Sequence, residues 1–309
     1  MSIRFDGKVV IITGAGNGLG RAHALGFAAR GARVVVNDLG SGVSGIGASS
    51  EAAHRVVSEI EAQGGTAIAD GADVTDFGQV QAMAQRALSA FGRIDVLINN
   101  AGILRDKSFA NMDMADFRAV VDVHLMGAVN CTKTVWETLR AQGSGRVIFT
   151  TSSTGLYGNF GQSNYGAAKA ALVGLMKTLH EEGRKYGIRV NAVSPVAATR
   201  MTEALLPPGT AELLQPDDVT PAVLYLASED APSGVILTAG AGSYARVMTV
   251  ETDGIYLAPQ DRTPETVAAR FAEISDPAGQ RALATGLEQT MKFLNRAMTA
   301  SQPSAKAKS

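Results

Sequence analysis

The stretch from Lys8 to Asp38 constrains the fold more than any other part of the chain. Lys8–Thr13 reads KVVIIT, a β-branched apolar run of the kind that forms a strand buried on both faces. A glycine turn follows, Gly14-Ala-Gly-Asn-Gly-Leu-Gly20, then a helical pattern from Arg21 to Arg30. A second apolar strand, Val34–Asn37, ends at Asp38. Strand, glycine turn, helix, strand and acid together form a dinucleotide cradle. The glycines let backbone approach a pyrophosphate at the helix N-terminus, and the acid accepts the ribose hydroxyls of adenosine. The spacing is Thr-Gly-x-x-x-Gly-x-Gly, with glycines at 14, 18 and 20, and not the commoner GxGxxG.

The alternation continues. Gly40–Ser50 is a glycine- and serine-rich loop, longer than an ordinary strand-to-helix connection. Helices over 50–63 and 77–90 and strands over 66–72 and 94–98 come next. Two long helices, 114–125 and 127–142, lead to a strand over 146–151. A further helix runs to about Tyr186, and the strand 188–193 ends at Ser194-Pro195. Such βαβ repetition specifies an α/β fold with a doubly wound parallel sheet and right-handed crossovers. Ligands in these sheets bind beyond the carboxyl ends of the strands, where Gly14, Asp38, Asn99, Ser152 and Pro195 all fall. Asp73-Val74 stands at another strand end, where the carboxylate reads equally as an adenine partner or a turn residue. Asn99 and Asn100 could pin neighbouring strands or line the cleft. A helix over 216–226 and a last strand near 247–251 complete the expected sheet, with a lid over 199–206 ahead of Pro207-Pro208.

The chemistry is concentrated in Ser152–Lys169, SSTGLYGNFGQSNYGAAK. Tyr165 and Lys169 stand at i and i+4 and share a helix face. A free tyrosine is a poor base, with a pKa near ~10. A neighbouring ammonium favours the phenolate, and lowering that pKa by about three units takes roughly 4 kcal/mol. Ser152 could hold a substrate oxygen. Taken alone, Tyr-x-x-x-Lys also fits an ordinary amphipathic helix; the cradle upstream gives it meaning.

Composition narrows the remaining options. The formal net charge of −1 offers no footprint for nucleic acid or an anionic membrane. The single cysteine, Cys131, allows no intrachain disulfide and suits a reducing compartment. Four histidines (23, 54, 124 and 180) lack metal-ligand spacing. With no signal-peptide pattern, no membrane-length apolar run and no terminal Ser-Lys-Leu, the expected location is cytoplasmic.

Thr13-Gly-x-x-x-Gly-x-Gly20, Asn99-Asn-Ala-Gly102, Ser152, Tyr165-x-x-x-Lys169 and Ser194-Pro195 together resemble the short-chain dehydrogenase/reductases, over residues 6 to about 258. Asn37-Asp-Leu-Gly40, Asn100-Ala-Gly-Ile-Leu-Arg-Asp106, Tyr157-Gly-Asn-Phe-Gly-Gln162, Glu182-Gly-Arg-Lys185 and Arg200-Met-Thr202 are closer still. They resemble the (3R)-hydroxyacyl-CoA dehydrogenase units of type two peroxisomal multifunctional enzymes, also called 17β-hydroxysteroid dehydrogenase type four. The hydratase and sterol-carrier domains of those enzymes find no counterpart here, which implies a free-standing dehydrogenase.

The resemblance implies NAD-dependent oxidation of a secondary alcohol, a (3R)-3-hydroxyacyl-CoA or a steroid. In that reading Ser152, Tyr165 and Lys169 are catalytic. The implied cofactor contacts are Gly14, Asn17, Gly18, Leu19, Gly20, Asp38, Asp73, Val74, Asn100, Ala101, Gly102, Tyr165, Lys169, Pro195 and Thr199. His124 replaces an asparagine that most members carry and is either a relay residue or a helix histidine bonded to backbone. The usual Pro-Gly is Pro195-Val196, and the following segment to Thr199 is one residue short. Two alternatives stand: an NADPH-dependent 3-ketoacyl-thioester reductase, and a non-catalytic nucleotide-sensing protein.

Residues 1–258 are expected to form the catalytic domain, 259–300 a helical C-terminal extension and 301–309 a disordered tail. One tail helix would place Val267, Phe271 and Ile274 on one face. A second would align Leu283, Leu287, Met291, Leu294 and Met298. Such stripes need cover, from the same subunit or across a homodimer or dimer of dimers.

Overall fold

The computed structural model describes residues 2–47, 49–199 and 209–301. Two compact units divide between Val247 and Met248. The first is built on one sheet of eight strands. In chain order its elements are β1 (Val9–Thr13), α1 (Gly18–Ala28), β2 (Arg33–Asn37), α2 (Glu51–Ala62), β3 (Thr66–Asp70), α3 (Phe77–Phe91) and β4 (Val96–Asn99). They continue as α4 (Met114–Val121), α5 (Gly127–Gln142), β5 (Gly145–Thr150), α6 (Ser153–Tyr157), α7 (Ser163–Gly183) and β6 (Ile188–Pro195). α8 (Thr220–Ala227), β7 (Ile236–Gly240) and β8 (Ser243–Val247) complete the unit.

The spatial order is β3-β2-β1-β4-β5-β6-β7-β8. All pairs are parallel except β7 with β8. The order reverses between β1 and β4, which opens a crevice at their carboxyl ends. The apolar runs of the sequence are explained by burial on both faces. In β1, Val10 and Ile12 pack into a core with Phe27 of α1, Ile60 of α2 and Val223 of α8. Ile11 faces the opposite core, with Met83 of α3, Leu139 of α5 and Met176 of α7. Period-two alternation sends successive side chains to opposite faces, and burying each is worth about 1.5–3 kcal/mol.

Local chemistry sets several boundaries. Asp76 caps α3 by accepting the Gln79 N–H at 3.1 Å, and Gly92 ends that helix at φ +78°. The two helices expected over 114–125 and 127–142 are continuous. α4 passes through a π-helical turn, Asp122–Met126, directly into α5, with helical backbone at each junction.

The end of the sheet departs from expectation. The last strand is not 247–251. Instead β7 and β8 form a hairpin whose central residues, Ala241 and Gly242, both have positive φ (49° and 69°). That is the turn geometry favoured by two-residue hairpins. Val247 pairs with Ile236, the first residue of β7, so the ladder runs out where the strand was expected to begin. β7 escaped the sequence reading because Thr-Ala-Gly dilutes its short apolar signal.

The second unit is held by a polar knot. Glu251 pairs with Arg281 as an isolated bridge. Lys292, nearly buried, donates to Glu251 Oε1 at 2.9 Å and to Thr252 O at 2.6 Å. Arg296 pairs with Asp253 at 2.6 Å. The first tail helix is broken in two, α9 (Pro264–Ala269) and α10 (Phe271–Ile274), with Arg270 between them at ψ 15°. α11 spans Gly286–Ser301, so Leu283 lies ahead of the helix that was expected to include it. Phe271, Leu287, Met291, Leu294 and Met298 are all exposed in the single chain. Most of the expected lid (200–206), Pro207-Pro208, Arg200-Met-Thr202 and residues 302–309 of the expected disordered tail lie outside the described residues.

Candidate active site

The turn between β1 and α1 is clamped to the end of β4. The Asn100 side-chain amide donates to Thr13 O at 3.0 Å and Gly14 O at 3.1 Å. In return Thr13 Oγ1 accepts the backbone N–H groups of Asn100 and Ala101, both at 3.0 Å. Thr13 stands in the glycine-turn motif but not in the expected site set; its hydroxyl at the last position of β1 is the signal for this role. Asn99 turns the other way and donates to Thr132 Oγ1 at 3.0 Å. Asn100 therefore pins strands and lines the cleft at once, while Asn99 only pins.

Gly20 lies beneath the turn and not on the cavity wall: a Cβ there would fall 2.2 Å from Gly14 O. No side chain caps the first turn of α1 and no acid occupies it. That end of the helix is therefore suited to an anion, through its N–H groups and its dipole. At the tip of β2, the Asp38 carboxylate accepts Gly16 N–H through Oδ2 and Gly40 N–H through Oδ1, each at 2.7 Å. A carboxylate has about four acceptor sites, so roughly two stay open for a pair of ribose hydroxyls. Gly16, absent from the expected set, is the partner that aims this carboxylate. Asp73 spends Oδ1 on the N–H and hydroxyl of Thr75, both at 2.8 Å, which is the turn arrangement.

Gly14, Asp38, Asp73 and Asn100 open onto one cavity of about 1100 Å³, together with Asn17, Gly18, Leu19, Val74, Ala101, Gly102, His124, Ser152, Tyr165, Lys169, Pro195 and Thr199. Every predicted site residue except Gly20 lies on its wall. The long loop after β2 contributes Ser41, Gly42, Val43 and Gly45. It is stitched across the cavity by Leu104 N–H to Val43 O and Arg105 Nε to Ser44 O, both at 3.0 Å.

Ser152 ends the run after β5 and caps α6, its hydroxyl accepting Thr154 N–H at 3.2 Å. Its hydroxyl stands close to the Tyr165 phenol. Lys169 Nζ donates to Thr150 O at 2.6 Å and sits 5.6 Å from the Tyr165 ring centre. The electrostatics correct the sequence expectation. Burial pushes the Tyr165 phenol above its ordinary value, the Ser152 hydrogen bond opposes this, and the Asp106 charge adds to the rise. Burial also draws Lys169 down to about 7. Desolvation dominates both groups, so the lysine does not by itself produce a low-pKa phenol.

The π-helical turn aims the His124 ring inward, edge-on to Tyr165 with centres 5.1 Å apart. Its Nε2 stands 2.7 Å from Ile103 O and 3.1 Å from Ile103 N, so this nitrogen bonds the Ile103 backbone as donor in one tautomer and as acceptor in the other. A Cβ on Gly102 would lie 2.3 Å from Cε1, so the ring needs a glycine there. Burial, then the Lys169 charge, hold His124 well below its ordinary pKa, with only the Ile103 bond opposing. The ring is held neutral.

The chain matches the short chain dehydrogenase family over residues 8–208. It belongs to that family.

This short-chain dehydrogenase is 45% identical over 277 residues to peroxisomal multifunctional enzyme type 2 of Mus musculus, covering 89% of this chain and 37% of that enzyme. It is 42% identical over 231 residues to a 3-oxoacyl-[acyl-carrier-protein] reductase of Synechocystis, covering 72% of this chain and 90% of the reductase. Among solved structures, a 7α-hydroxysteroid dehydrogenase complexed with NADH and 7-oxo glycochenodeoxycholic acid superposes with a TM-score of 0.70 at 34% identity. That match covers 78% of this chain and 95% of the steroid enzyme. The chain spans from 31% to 61% of the length of the multifunctional relatives. Two further facts describe this dehydrogenase: no helix among the described residues is long and apolar enough to cross a membrane, and no metal-binding cluster occurs among them. The shortened segment after Pro195 is held by Val196 N–H to Ala239 O at 2.8 Å and Ala198 N–H to Leu214 O at 2.6 Å.

Proposed function

We propose that this chain catalyses NAD-dependent oxidation of a secondary alcohol to a ketone, with a (3R)-3-hydroxyacyl-CoA as substrate in fatty-acid or steroid degradation, and 17β-hydroxysteroids as further candidates. The observation that carries the reading is the convergence of Ser152, Tyr165 and Lys169 with Asp38 and the α1 N-terminus on one cavity. A nicotinamide dinucleotide bound there would accept the hydride. Gly14, Asn17, Gly18, Leu19 and the α1 N-terminus would hold its pyrophosphate, with Asp38 on the adenosine ribose. Asp73 and Val74 would lie at the adenine, and Asn100, Ala101, Gly102, Pro195, Thr199 and Lys169 toward the nicotinamide half. Ser152 orients the alcohol oxygen, Tyr165 takes its proton, and Lys169 favours the phenolate when protonated. His124 packs edge-on against Tyr165. A cytoplasmic location goes with the reading. The test is a spectrophotometric screen of acyl-CoA and steroid alcohols with NAD; absence of turnover on all of them would favour the nucleotide-sensing alternative.

The similarity to an acyl-carrier-protein reductase favours a second reading, reduction of a 3-ketoacyl thioester with NADPH. Asp38 supports the first reading. Its carboxylate repels a 2′-phosphate, and uncharged Leu39 follows it. NAD is therefore expected to exceed NADP at least tenfold in kcat/KM, about 1.4 kcal/mol. Equal efficiencies would favour the reductase.

A homodimer or dimer of dimers completes the reading, supported by the exposed apolar stripe of α11 and by Phe271. Deleting residues 248–309 is expected to weaken the oligomer in sedimentation and to raise KM for long acyl-CoA, leaving NAD affinity little changed. An unchanged KM in a soluble truncated protein would remove the second unit from substrate binding.

A further inference from the structure

Two segments quoted in the sequence analysis, Asn100–Asp106 and Tyr157–Gln162, meet at the cavity wall. Lys107 N–H donates to Gly161 O at 2.9 Å, and the Asn164 side chain donates to Arg105 O at 3.0 Å. Gln162 stands at their junction, 6% exposed, at the N-terminal edge of α7 and three residues before Tyr165. Its Oε1 accepts Thr154 Oγ1–H at 2.9 Å and Asn159 Nδ2–H at 3.1 Å. Its Nε2 donates to Asp106 Oδ2 at 2.7 Å. These partners determine the amide's orientation, because a flip would set oxygen against a carboxylate and nitrogen against nitrogen.

An amide nitrogen carries two hydrogens, and Asp106 takes one. The other belongs to a nearly buried side chain on the cavity wall and has no protein acceptor among the described residues. A buried donor without an acceptor is costly, and a substrate oxygen is the group that would satisfy it. We propose that Gln162 is a specificity-determining residue whose second N–H donates to a carbonyl of the substrate. The substrate class is then a β-hydroxycarbonyl compound, such as a 3-hydroxyacyl thioester, whose C1 carbonyl lies two carbons from the reacting carbinol. The inference rests on the alcohol oxidation proposed above and narrows its substrate. Thr154 and Asn159 hold Gln162, and Thr154 is itself bonded to Ser152, so the carbonyl donor and the hydroxyl-holding pair share one support.

The test compares two compounds on wild type and Gln162→Met: the (3R)-3-hydroxybutyryl thioester of N-acetylcysteamine, and the matching thioether without the carbonyl. Each is scored by kcat/KM, or by inhibition constant if it is not oxidised. Wild type is expected to prefer the thioester by about tenfold, and the Met variant to lose most of that preference, as one hydrogen bond predicts. Gln162→Glu keeps the side-chain shape without a second N–H donor, is read alongside, and is expected to lose the preference too. A preference that persists in both variants overturns the assignment, whatever happens to absolute rates. A wild-type enzyme that oxidises no 3-hydroxyacyl thioester overturns the proposed function as well, which distinguishes the two failures.

Discussion

Tyr165→Phe is expected to lower turnover by several orders of magnitude while dinucleotide affinity stays close to wild type. The Tyr165 ring packs edge-on to His124, with Ser152 beside its oxygen. Phenylalanine keeps the ring and loses only the oxygen. The missing proton acceptor accounts for about 10²–10⁴-fold. Misorientation of the alcohol, now held by Ser152 alone, adds to this. Single-turnover kinetics with a (3R)-3-hydroxyacyl-CoA, together with a calorimetric dinucleotide titration, would check both halves. A variant with a tenth of wild-type turnover would remove Tyr165 from proton transfer.

Lys169→Met is expected to abolish most turnover and, unusually for an active-site change, to stabilise the protein. Burial moves Lys169 from 10.5 to about 7. Those roughly 3.5 units correspond to about 5 kcal/mol against folding with the amine charged. Methionine removes that penalty but leaves Thr150 O without its partner, a loss of about 1–3 kcal/mol. The net gain is on the order of 2–4 kcal/mol at pH 6. The sign follows from a folded-state pKa below the unfolded one. The penalty is complete below about pH 7, fades as pH rises toward 10.5, and is absent above it. Wild-type stability should therefore climb across that window by an increment the variant lacks. Urea unfolding at pH 6 and pH 9, without dinucleotide, measures both. A variant no more stable than wild type at pH 6 would mean that Lys169 carries no desolvation cost.

Much of this could be read before any coordinates, for physical reasons. β1, β2 and β4 are buried along almost their whole length, so apolar residues dominate them and the strands are visible in sequence. The glycine turn, Asp38, Ser152, Tyr165 and Lys169 stand at strand ends or one helical turn apart, and short-range spacing reports such positions directly. What stayed hidden depends on contacts between distant segments. Thr13 binds Asn100, Gly16 aims Asp38, and Gln162 joins Asp106 across 56 residues. The sign of the Tyr165 shift was also out of reach, because desolvation is set by everything packed around the phenol. β7 was missed because small residues dilute its pattern. The break at Arg270 went unseen because apolar periodicity continues through it.

The bonds from Gly16 and Gly40 to Asp38 bear on how coenzyme preference could be re-engineered or could drift. The residue that would reject a 2′-phosphate is also a structural brace between two loops. Exchanging it for a small neutral or basic residue would remove the repulsion and, in the same step, leave two backbone N–H groups of the cradle without an acceptor. Neighbouring substitutions that supply a new acceptor would have to accompany the swap. On the proposed reading, coenzyme choice would be mechanically coupled to loop order, and single-residue routes to NADP use should be blocked in this scaffold.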